Sequence, residues 1–183
     1  MEKEKIGAFP AKRFFVDMLT RDIELQDAIL DLLDNCLDGA LRSVSENPDN
    51  RDRERIYEGF EAKINFDDHS FTIEDNCGGI SGKLATDYAF RLGRPNDREG
   101  EKIPTIGIYG IGMKRAIFKM GTASEVLSKT KDEQFKVAIT PEWISDDDKW
   151  ELELERTNVD LNHPGVKISV SELREDVSNI FTP

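Results

Sequence analysis

The segment at residues 23–41 constrains the fold most strongly, because its apolar and acidic residues alternate with the period of an α-helix. Its apolar positions recur at offsets of one, three and four residues and form one stripe: Ala28, Ile29, Leu32, Leu33, Cys36, Leu37 and Ala40. The other side carries Asp27, Asp31, Asp34, Asn35 and Asp38. The segment therefore predicts a long helix with one face in a core and one acidic face.

The remaining pattern adds strands, most of them late in the chain. Two alternating runs at residues 62–66 and 70–74 predict a hairpin. Helices are predicted at residues 84–92 and 113–120, the second beginning at Gly112, and further strands at residues 124–128, 134–140, 150–156 and 166–170. The expected fold class is α+β: a two-layer sandwich in which helices pack on one face of a mixed β-sheet.

The length of the chain and the absence of long apolar runs limit its possible domain organisation. The 183 residues suffice for one domain with its own core. We expect residues 1–20 to form an N-terminal arm and residues 21–183 to form one domain of a longer protein. No apolar run reaches the ~18 residues that span a bilayer, and the charged start lacks the apolar core of a signal peptide. The prediction is therefore a cytoplasmic protein without a membrane partner.

Net charge and cysteine content argue against further classes of protein. The net charge of −12 argues against direct nucleic-acid binding by this domain, because phosphate backbones need a basic face. Backbone amides and a metal ion can still neutralise the phosphates of a single nucleotide. Cys36 and Cys77 form neither a disulfide framework nor a zinc pattern, so they are expected to be reduced and buried.

The acidic face of the long helix contains the first candidate site. Asp31, Asn35 and Asp38 are spaced i, i+4 and i+7, so they project from one side of a helix. An amide oxygen is a hard ligand that suits Mg²⁺, and a carboxylate one turn away can orient or deprotonate a water beside bound phosphates. A solvated acidic face is the alternative interpretation, since such faces are common.

The second candidate site is the turn that follows the hairpin. Asp75 ends a strand and is followed by Cys77, Gly78, Gly79 and Ile80. Glycines allow a backbone to approach a flat ligand closely, and the carboxylate can accept a hydrogen bond from an exocyclic amine. An ordinary turn uses the same residue types, so this alternative stays open.

A glycine-rich stretch before the second predicted helix forms the third candidate site: Gly107, Ile108, Tyr109, Gly110, Ile111, Gly112 and Met113. Such turns present backbone N–H groups and the positive end of a helix to an anion. Lys114 and Arg115 follow in the first helical turn, where their charges oppose the helix dipole unless an anion offsets them. A packing or hinge loop is the alternative.

In their order and spacing, the three motifs together resemble those of the GHKL ATPase superfamily: gyrase B subunits, the ninety-kilodalton heat-shock chaperone, histidine kinases and MutL. The resemblance implies the Bergerat fold, with Asn35 as the Mg²⁺ ligand, Asp75 holding the adenine amino group and Asp31 positioning the hydrolytic water. It implies further contacts to ATP at Asp38, Gly79, Ile80, Gly107, Tyr109, Gly110, Ile111, Gly112, Met113 and Lys114. Residues 93–111 would form the ATP lid, and the third motif is most similar to that of the MORC-type branch.

Three departures from the family pattern bear on activity. Asp31 stands where the family usually has Glu, and setting a carboxylate back by about an ångström can lower a rate by about 10²-fold. Cys77 replaces the first glycine of the D-x-G-x-G motif, which narrows the expected pocket. Val166 stands where a threonine is common, and because its side chain cannot donate a hydrogen bond, water or another group must serve Asp75.

The expected function is Mg-dependent ATP binding with slow hydrolysis, acting as an ATP-gated conformational or dimerisation switch. ATP and Mg²⁺ are the expected cofactors. The expected partners are a second copy, to which the apolar residues 14–19 would cross, and a downstream transducer or effector domain. Three alternatives stay open: a nucleotide sensor without turnover, a histidine-kinase-like phosphotransfer core and a module that binds no nucleotide. Neither His69, in a turn, nor His163, in a Pro-Gly loop, lies on a dimerisation helix that a kinase core requires.

Overall fold

A six-stranded β-sheet forms one layer of the protein, in a computed structural model that describes residues 11–46, 55–92 and 111–182. Its strands are β1 (Ala62–Phe66), β2 (Ser70–Asp75), β3 (Gly121–Lys129), β4 (Gln134–Ile139), β5 (Leu154–Glu155) and β6 (Gly165–Leu173). They lie in the order β1-β2-β6-β3-β4-β5. The predicted hairpin is confirmed as β1–β2, whereas the strand predicted at residues 150–156 is reduced to the two residues of β5.

The sheet is antiparallel at every described pairing, so the predicted α+β class is confirmed but its sheet is not mixed. A mixed sheet needs at least one parallel pair, and connections that contain helices, such as the one between β2 and β3, usually join parallel neighbours. Strands β2 and β3 do point the same way. However, β6 lies between them and runs opposite to both.

Helices supply the second layer. They are α1 (Lys12–Thr20), α2 (Leu25–Glu46), α3 (Gly82–Leu84), α4 (Gly112–Met120), α5 (Pro141–Ser145) and α6 (Glu175–Phe181). The helix predicted at residues 23–41 is thus confirmed and continues to Glu46. The helix predicted at residues 84–92 is instead the short α3, followed by a π-helical turn at Ala85–Ala89. Within the described ranges, no helix is long and apolar enough to cross a membrane.

The core lies between the helices and one face of the sheet. From that face, Phe71, Ile73 and Val170 are buried against residues such as Leu32 and Ile117 on α2 and α4. The other face carries ion pairs between strands: Lys167 with Glu74 at 3.5 Å and Lys136 with Glu155 at 2.9 Å. The apolar and polar sides of each strand therefore agree with helices on one face only.

Part of the expected N-terminal arm is a helix that packs on the domain. Val16 of α1 belongs to the core at 3% exposure, and Lys12 is completely buried. The Lys12 ammonium donates to the carbonyl oxygens of Trp143, Asp146 and Lys149 and lies 4.0 Å from the centre of the Trp143 ring. These contacts fix α1 against the segment around α5.

Candidate functional site

Helix α2 contacts the start of α4 through an ion pair. The Nε and Nη2 atoms of Arg115 donate to Oδ2 of Asp31 at 3.1 and 2.7 Å, and both side chains are partly exposed. Gly112 lies so close that a Cβ atom there would be 3.4 Å from Cγ of Asp31. The first and third motifs therefore meet, and the anion expected beside Arg115 is a carboxylate of the protein itself.

The acidic face of α2 continues beyond Asp31. Asn35 is exposed, and its amide nitrogen donates to the backbone carbonyl of Asp31 at 2.7 Å, which keeps its side chain on the Asp31 side of the helix. Asp38 is buried at 6% exposure. Burial, together with the charges of Asp31 and Asp38, raises the pKa of Asp34. Negative charge is thus concentrated on this face, where a divalent cation would be stabilised.

Asp75, the key residue of the second motif, is held by backbone amides. Its Oδ1 atom accepts hydrogen bonds from the N–H groups of Cys77 at 2.8 Å and Val166 at 3.3 Å. Burial raises the pKa of Asp75, and these hydrogen bonds oppose that effect. The sequence suggested that water or another group must replace a threonine at position 166. In the structure, the backbone N–H of Val166 donates to Asp75.

Two thiols connect Asp75 to helix α2. Cys36 follows Asn35 on α2, and both Cys36 and Cys77 are buried free thiols that interact with the Asp75 carboxylate. Burial and the nearby carboxylate raise the pKa of Cys77 to about 12 and that of Cys36 as well, so both stay protonated at neutral pH. The prediction of reduced, buried cysteines is confirmed, and their position brings the first and second motifs together.

The turn after Asp75 is fastened to β3. The N–H of Ile80 donates to Oγ of Ser128 at 2.8 Å, and that hydroxyl donates back to the Ile80 carbonyl at 2.9 Å. Gly79 has a φ of +78°, and a Cβ atom there would lie 2.1 Å from the carbonyl oxygen of Lys129. Glycine is therefore required at position 79 by the chain's own packing, whether or not a ligand also approaches it.

The third motif is described only from Ile111 onward. Gly107, Tyr109 and Gly110 lie outside the described residues, as do residues 93–110 of the predicted lid. Met113 and Lys114 are buried in the first turn of α4, at 8% and 2% exposure. Nζ of Lys114 donates to the carbonyl of Ala89 at 2.7 Å, and burial lowers the pKa of Lys114 to about 8. Lys114 thus contacts the π-helical turn, whereas Arg115 contacts α2.

A cavity of about 570 Å³ lies on the Lys114 side of α4. Its walls come from the π-helical turn, α4, β4 and the segment around Trp143 and Trp150. Of the predicted site residues in the described ranges, Lys114 alone lines it. The lining of the cavity therefore includes none of Asp31, Asn35 and Asp75.

Three contacts of this site were not predicted as parts of it. The sequence marked Arg115 as a cation in need of an anion, which was the available signal, but did not identify Asp31 as its partner. The Val166 N–H and the Ser128 hydroxyl join β6 and β3 to the turn from distant parts of the chain. No local sequence pattern indicates such contacts, because they depend on β6 lying beside β2 and β3.

Comparison with known families agrees with the geometry. The model of the family described as "Histidine kinase-, DNA gyrase B-, and HSP90-like ATPase" matches residues 23–176. The match begins just before α2 and ends within α6, so it includes all three motifs and the whole sheet. A search of curated proteins gave no match to an individual protein.

Proposed function

Because the chain belongs to the histidine kinase-, DNA gyrase B- and HSP90-like ATPase family, we propose that it binds Mg-ATP and hydrolyses it slowly to ADP and phosphate. One observation supports the location of this site. Helix α2 touches the start of α4 through Asp31 and the 75–80 turn through Cys36, so all three motifs converge along one helix. The nucleotide would lie along that helix.

Asp75 is the proposed adenine-binding residue. The amides of Cys77 and Val166 orient its carboxylate through Oδ1, and we assign the second oxygen to the exocyclic amine of adenine. An ionised carboxylate accepts this hydrogen bond, whereas a protonated one loses an acceptor site. The raised pKa of Asp75 therefore makes ATP affinity sensitive to mild acidification.

Asn35 is the proposed Mg²⁺ ligand. Its amide nitrogen is engaged by the Asp31 carbonyl, so its amide oxygen is the atom for the metal. Mg²⁺ commonly takes one or two protein ligands and completes its shell with phosphates and water. This fits a site without a ready-made cage, since the described residues contain no group of three or more His, Cys, Asp or Glu side chains suited to a metal. The ion would neutralise phosphate charge beside the acidic face of α2.

Backbone amides at the start of α4 are the proposed phosphate contacts. Gly112 and Met113 lie in the first turn of α4, where N–H groups have no partner within the helix. The positive end of the helix dipole favours an anion there. Further contacts are proposed at Asp38, Gly79, Ile80, Ile111 and Lys114, and in the undescribed part of the motif at Gly107, Tyr109 and Gly110.

Asp31 is the proposed catalytic residue, and its pairing with Arg115 supports slow turnover. A carboxylate that accepts two hydrogen bonds from a guanidinium has fewer orientations available for positioning a water. Aspartate is also one methylene shorter than the usual glutamate. The same pair favours a second candidate function, a nucleotide sensor that binds ATP without turnover.

The wider role is also proposed. We infer a cytoplasmic ATP-gated switch, closest to the MORC-type branch, which pairs with a second copy through α1 and acts on a downstream domain. Free, buried Cys36 and Cys77 are consistent with a reducing compartment. Light scattering with and without a non-hydrolysable ATP analogue tests the switch: a doubled mass with the analogue is expected, and an unchanged mass would contradict it.

Calorimetry and phosphate release test the core proposal. The wild type is expected to bind ATP with Mg²⁺, to bind it more weakly with EDTA, and to release phosphate slowly. Asp75→Asn should weaken binding, whereas the matched control Asp132→Asn, in the exposed β3–β4 turn, should not. Absence of any heat at millimolar Mg-ATP would refute the function, and binding without phosphate release would establish the sensor instead.

A further inference from the structure

A buried serine on β3 holds the end of the turn that follows Asp75. Ser128 is completely buried, at 0% exposure. Its hydroxyl accepts a hydrogen bond from the N–H of Ile80 at 2.8 Å and donates one to the carbonyl of the same residue at 2.9 Å. A hydroxyl can donate and accept at once, so one side chain satisfies both backbone groups of Ile80.

The same turn is held at other points along its length. Gly79 has a φ of +78°, and a Cβ atom there would lie 2.1 Å from the carbonyl oxygen of Lys129, the residue after Ser128. On the opposite side, the hydroxyl of Ser43 on α2 donates to the carbonyl of Cys77 at 2.9 Å. The turn therefore lies between α2 and β3, and the Ser128 side chain fixes its last residue.

Asp75 and Ile80 lie at the two ends of the 75–80 turn and have different partners. The amides of Cys77 and Val166 hold the Asp75 carboxylate, whereas Ser128 holds the backbone of Ile80. The distance between the carboxylate and Ile80 is thus set by two independent groups of hydrogen bonds. A base that contacts both ends, as proposed for adenine, requires this distance to stay fixed.

Strand β3 also contains a second buried serine, which provides a comparison. Ser124 lies four residues before Ser128, so both side chains point to the same face of the sheet. Ser124 is 7% exposed, and in the part of the chain that the structure describes its hydroxyl has no hydrogen-bond partner. The two serines therefore share strand, face and burial, but only the hydroxyl of Ser128 holds the turn.

We propose that Ser128 is a positioning residue for nucleotide binding, which fixes Gly79 and Ile80 relative to Asp75 so that the base of ATP meets the carboxylate. This role rests on the proposed function, since the nucleotide site is itself proposed. Ser128 acts through the turn rather than by touching the nucleotide. Groups that are fixed before a ligand arrives lose less freedom on binding, which raises affinity.

Three serine variants test this role by calorimetry with Mg-ATP. Ser128→Ala should weaken ATP binding by about tenfold, because it removes two hydrogen bonds that hold the turn. Ser128→Thr keeps a hydroxyl and should restore most of that affinity. The matched control Ser124→Ala removes a buried hydroxyl from the same face of the same strand and should bind ATP like the wild type.

The number of sites from the same titrations separates positioning from a general loss of structure. Positioning changes Kd while one site per chain remains, whereas partial unfolding would lower the number of sites. Exchange of the Ile80 amide hydrogen, measured by NMR without nucleotide, should rise by about tenfold or more in Ser128→Ala and stay unchanged in Ser124→Ala. If Ser128→Ala does not fold, Ser128→Cys replaces it, with a smaller loss expected because a thiol is a weaker donor.

A double-mutant cycle with Asp75→Asn tests whether Ser128 acts through recognition of the base. In that background Ser128→Ala should lower ATP affinity by much less than in the wild type, because the contact that it supports is already weakened. Additive losses, including a double variant without measurable binding, would contradict the assigned role.

The wild type distinguishes this role from the proposed function. If the wild type binds no ATP, the proposed function is refuted and the role of Ser128 falls with it. If the wild type binds ATP and folded Ser128→Ala binds it equally well, only the role of Ser128 is refuted. Equal losses in Ser128→Ala and Ser124→Ala would also overturn it, because any buried hydroxyl of β3 would then have the same effect.

Discussion

Two adjacent basic residues at the start of α4 lie in different surroundings. Arg115 is partly exposed and pairs with Asp31 of α2, whereas Lys114 is 2% exposed and donates to the carbonyl of Ala89. Consecutive residues on a helix are about 100° apart, so neighbouring side chains in one turn can face different sides of the helix. The Arg115 side faces Asp31 on α2, and the Lys114 side lines the aromatic cavity.

The difference teaches that two adjacent cations in one motif can have different partners. The sequence places both at a helix start, where an anion is needed to offset them. For Arg115 that anion is present as Asp31. Lys114 is buried, which lowers its pKa to about 8. The two sides of α4 are therefore expected to respond differently to substitution, pH and nucleotide.

The largest expected effect is on turnover at the Arg115 side. Asp31→Asn keeps the shape of the side chain but removes the charge that would orient and deprotonate a water. If Asp31 is the general base, phosphate release should fall by about 10²-fold or more, since such groups contribute ~10²–10⁴-fold. ATP affinity measured by calorimetry should change little. Turnover equal to that of the wild type would remove Asp31 from the mechanism.

The next effect belongs to the Lys114 side and concerns stability against pH. Below pH 8 both the folded and the unfolded chain hold this proton, so burial of the ammonium destabilises the fold in full. Between about pH 8 and the ordinary value of 10.5 the unfolded chain binds more protons, so the free energy of unfolding rises with pH. The rise has an upper limit of roughly 3 kcal/mol.

Urea unfolding from pH 7 to pH 10 measures this rise. The wild type should gain stability relative to Lys114→Met across that range. The exposed control Lys131→Met should follow the wild type in parallel. Parallel curves for Lys114→Met and the wild type would show that the burial of Lys114 does not depress its proton affinity.

A smaller effect is expected at Asp75, on ATP affinity. Loss of a hydrogen bond to a charged group costs about 1.5–3 kcal/mol, so Asp75→Asn should weaken ATP binding by about tenfold or more. Because burial raises the pKa of Asp75, wild-type affinity should fall on acidification above the usual aspartate range. Calorimetry between pH 4.5 and pH 7.5 measures both. Affinity of the wild type that stays flat over this range would contradict the assignment.

The sequence predicted those helices and strands whose pattern lies within a single segment. The stripe from Ala28 to Ala40 defined α2, and the alternating runs at residues 62–66 and 70–74 defined the β1–β2 hairpin. The glycine before Met113 marked the start of α4. In α2 and in the hairpin, one face is apolar at the period of the element, so the residues of one segment suffice to predict that element.

Contacts between distant segments could not be predicted. Lys12 is buried because carbonyl oxygens more than 130 residues away receive its ammonium, and nothing near position 12 indicates this. The place of β6 between β2 and β3 likewise depends on the whole sheet. That placement brings the Val166 amide to Asp75. The candidate site was thus predicted as three separate motifs, whereas the contacts that join them required the structure.

The smallest expected effect tests the ion pair that defines the Arg115 side. Asp31 and Arg115 are both partly exposed, so solvent screens their attraction and the pair should contribute about 1 kcal/mol or less. A double-mutant cycle of Asp31→Asn and Arg115→Met, followed by urea unfolding, isolates this coupling from the effects of each substitution alone. The coupling should shrink in high salt, because screening weakens exposed pairs. A coupling of zero at low salt would mean that Arg115 is free to face a ligand phosphate, and would shift the cation proposed for ATP from Lys114 to Arg115.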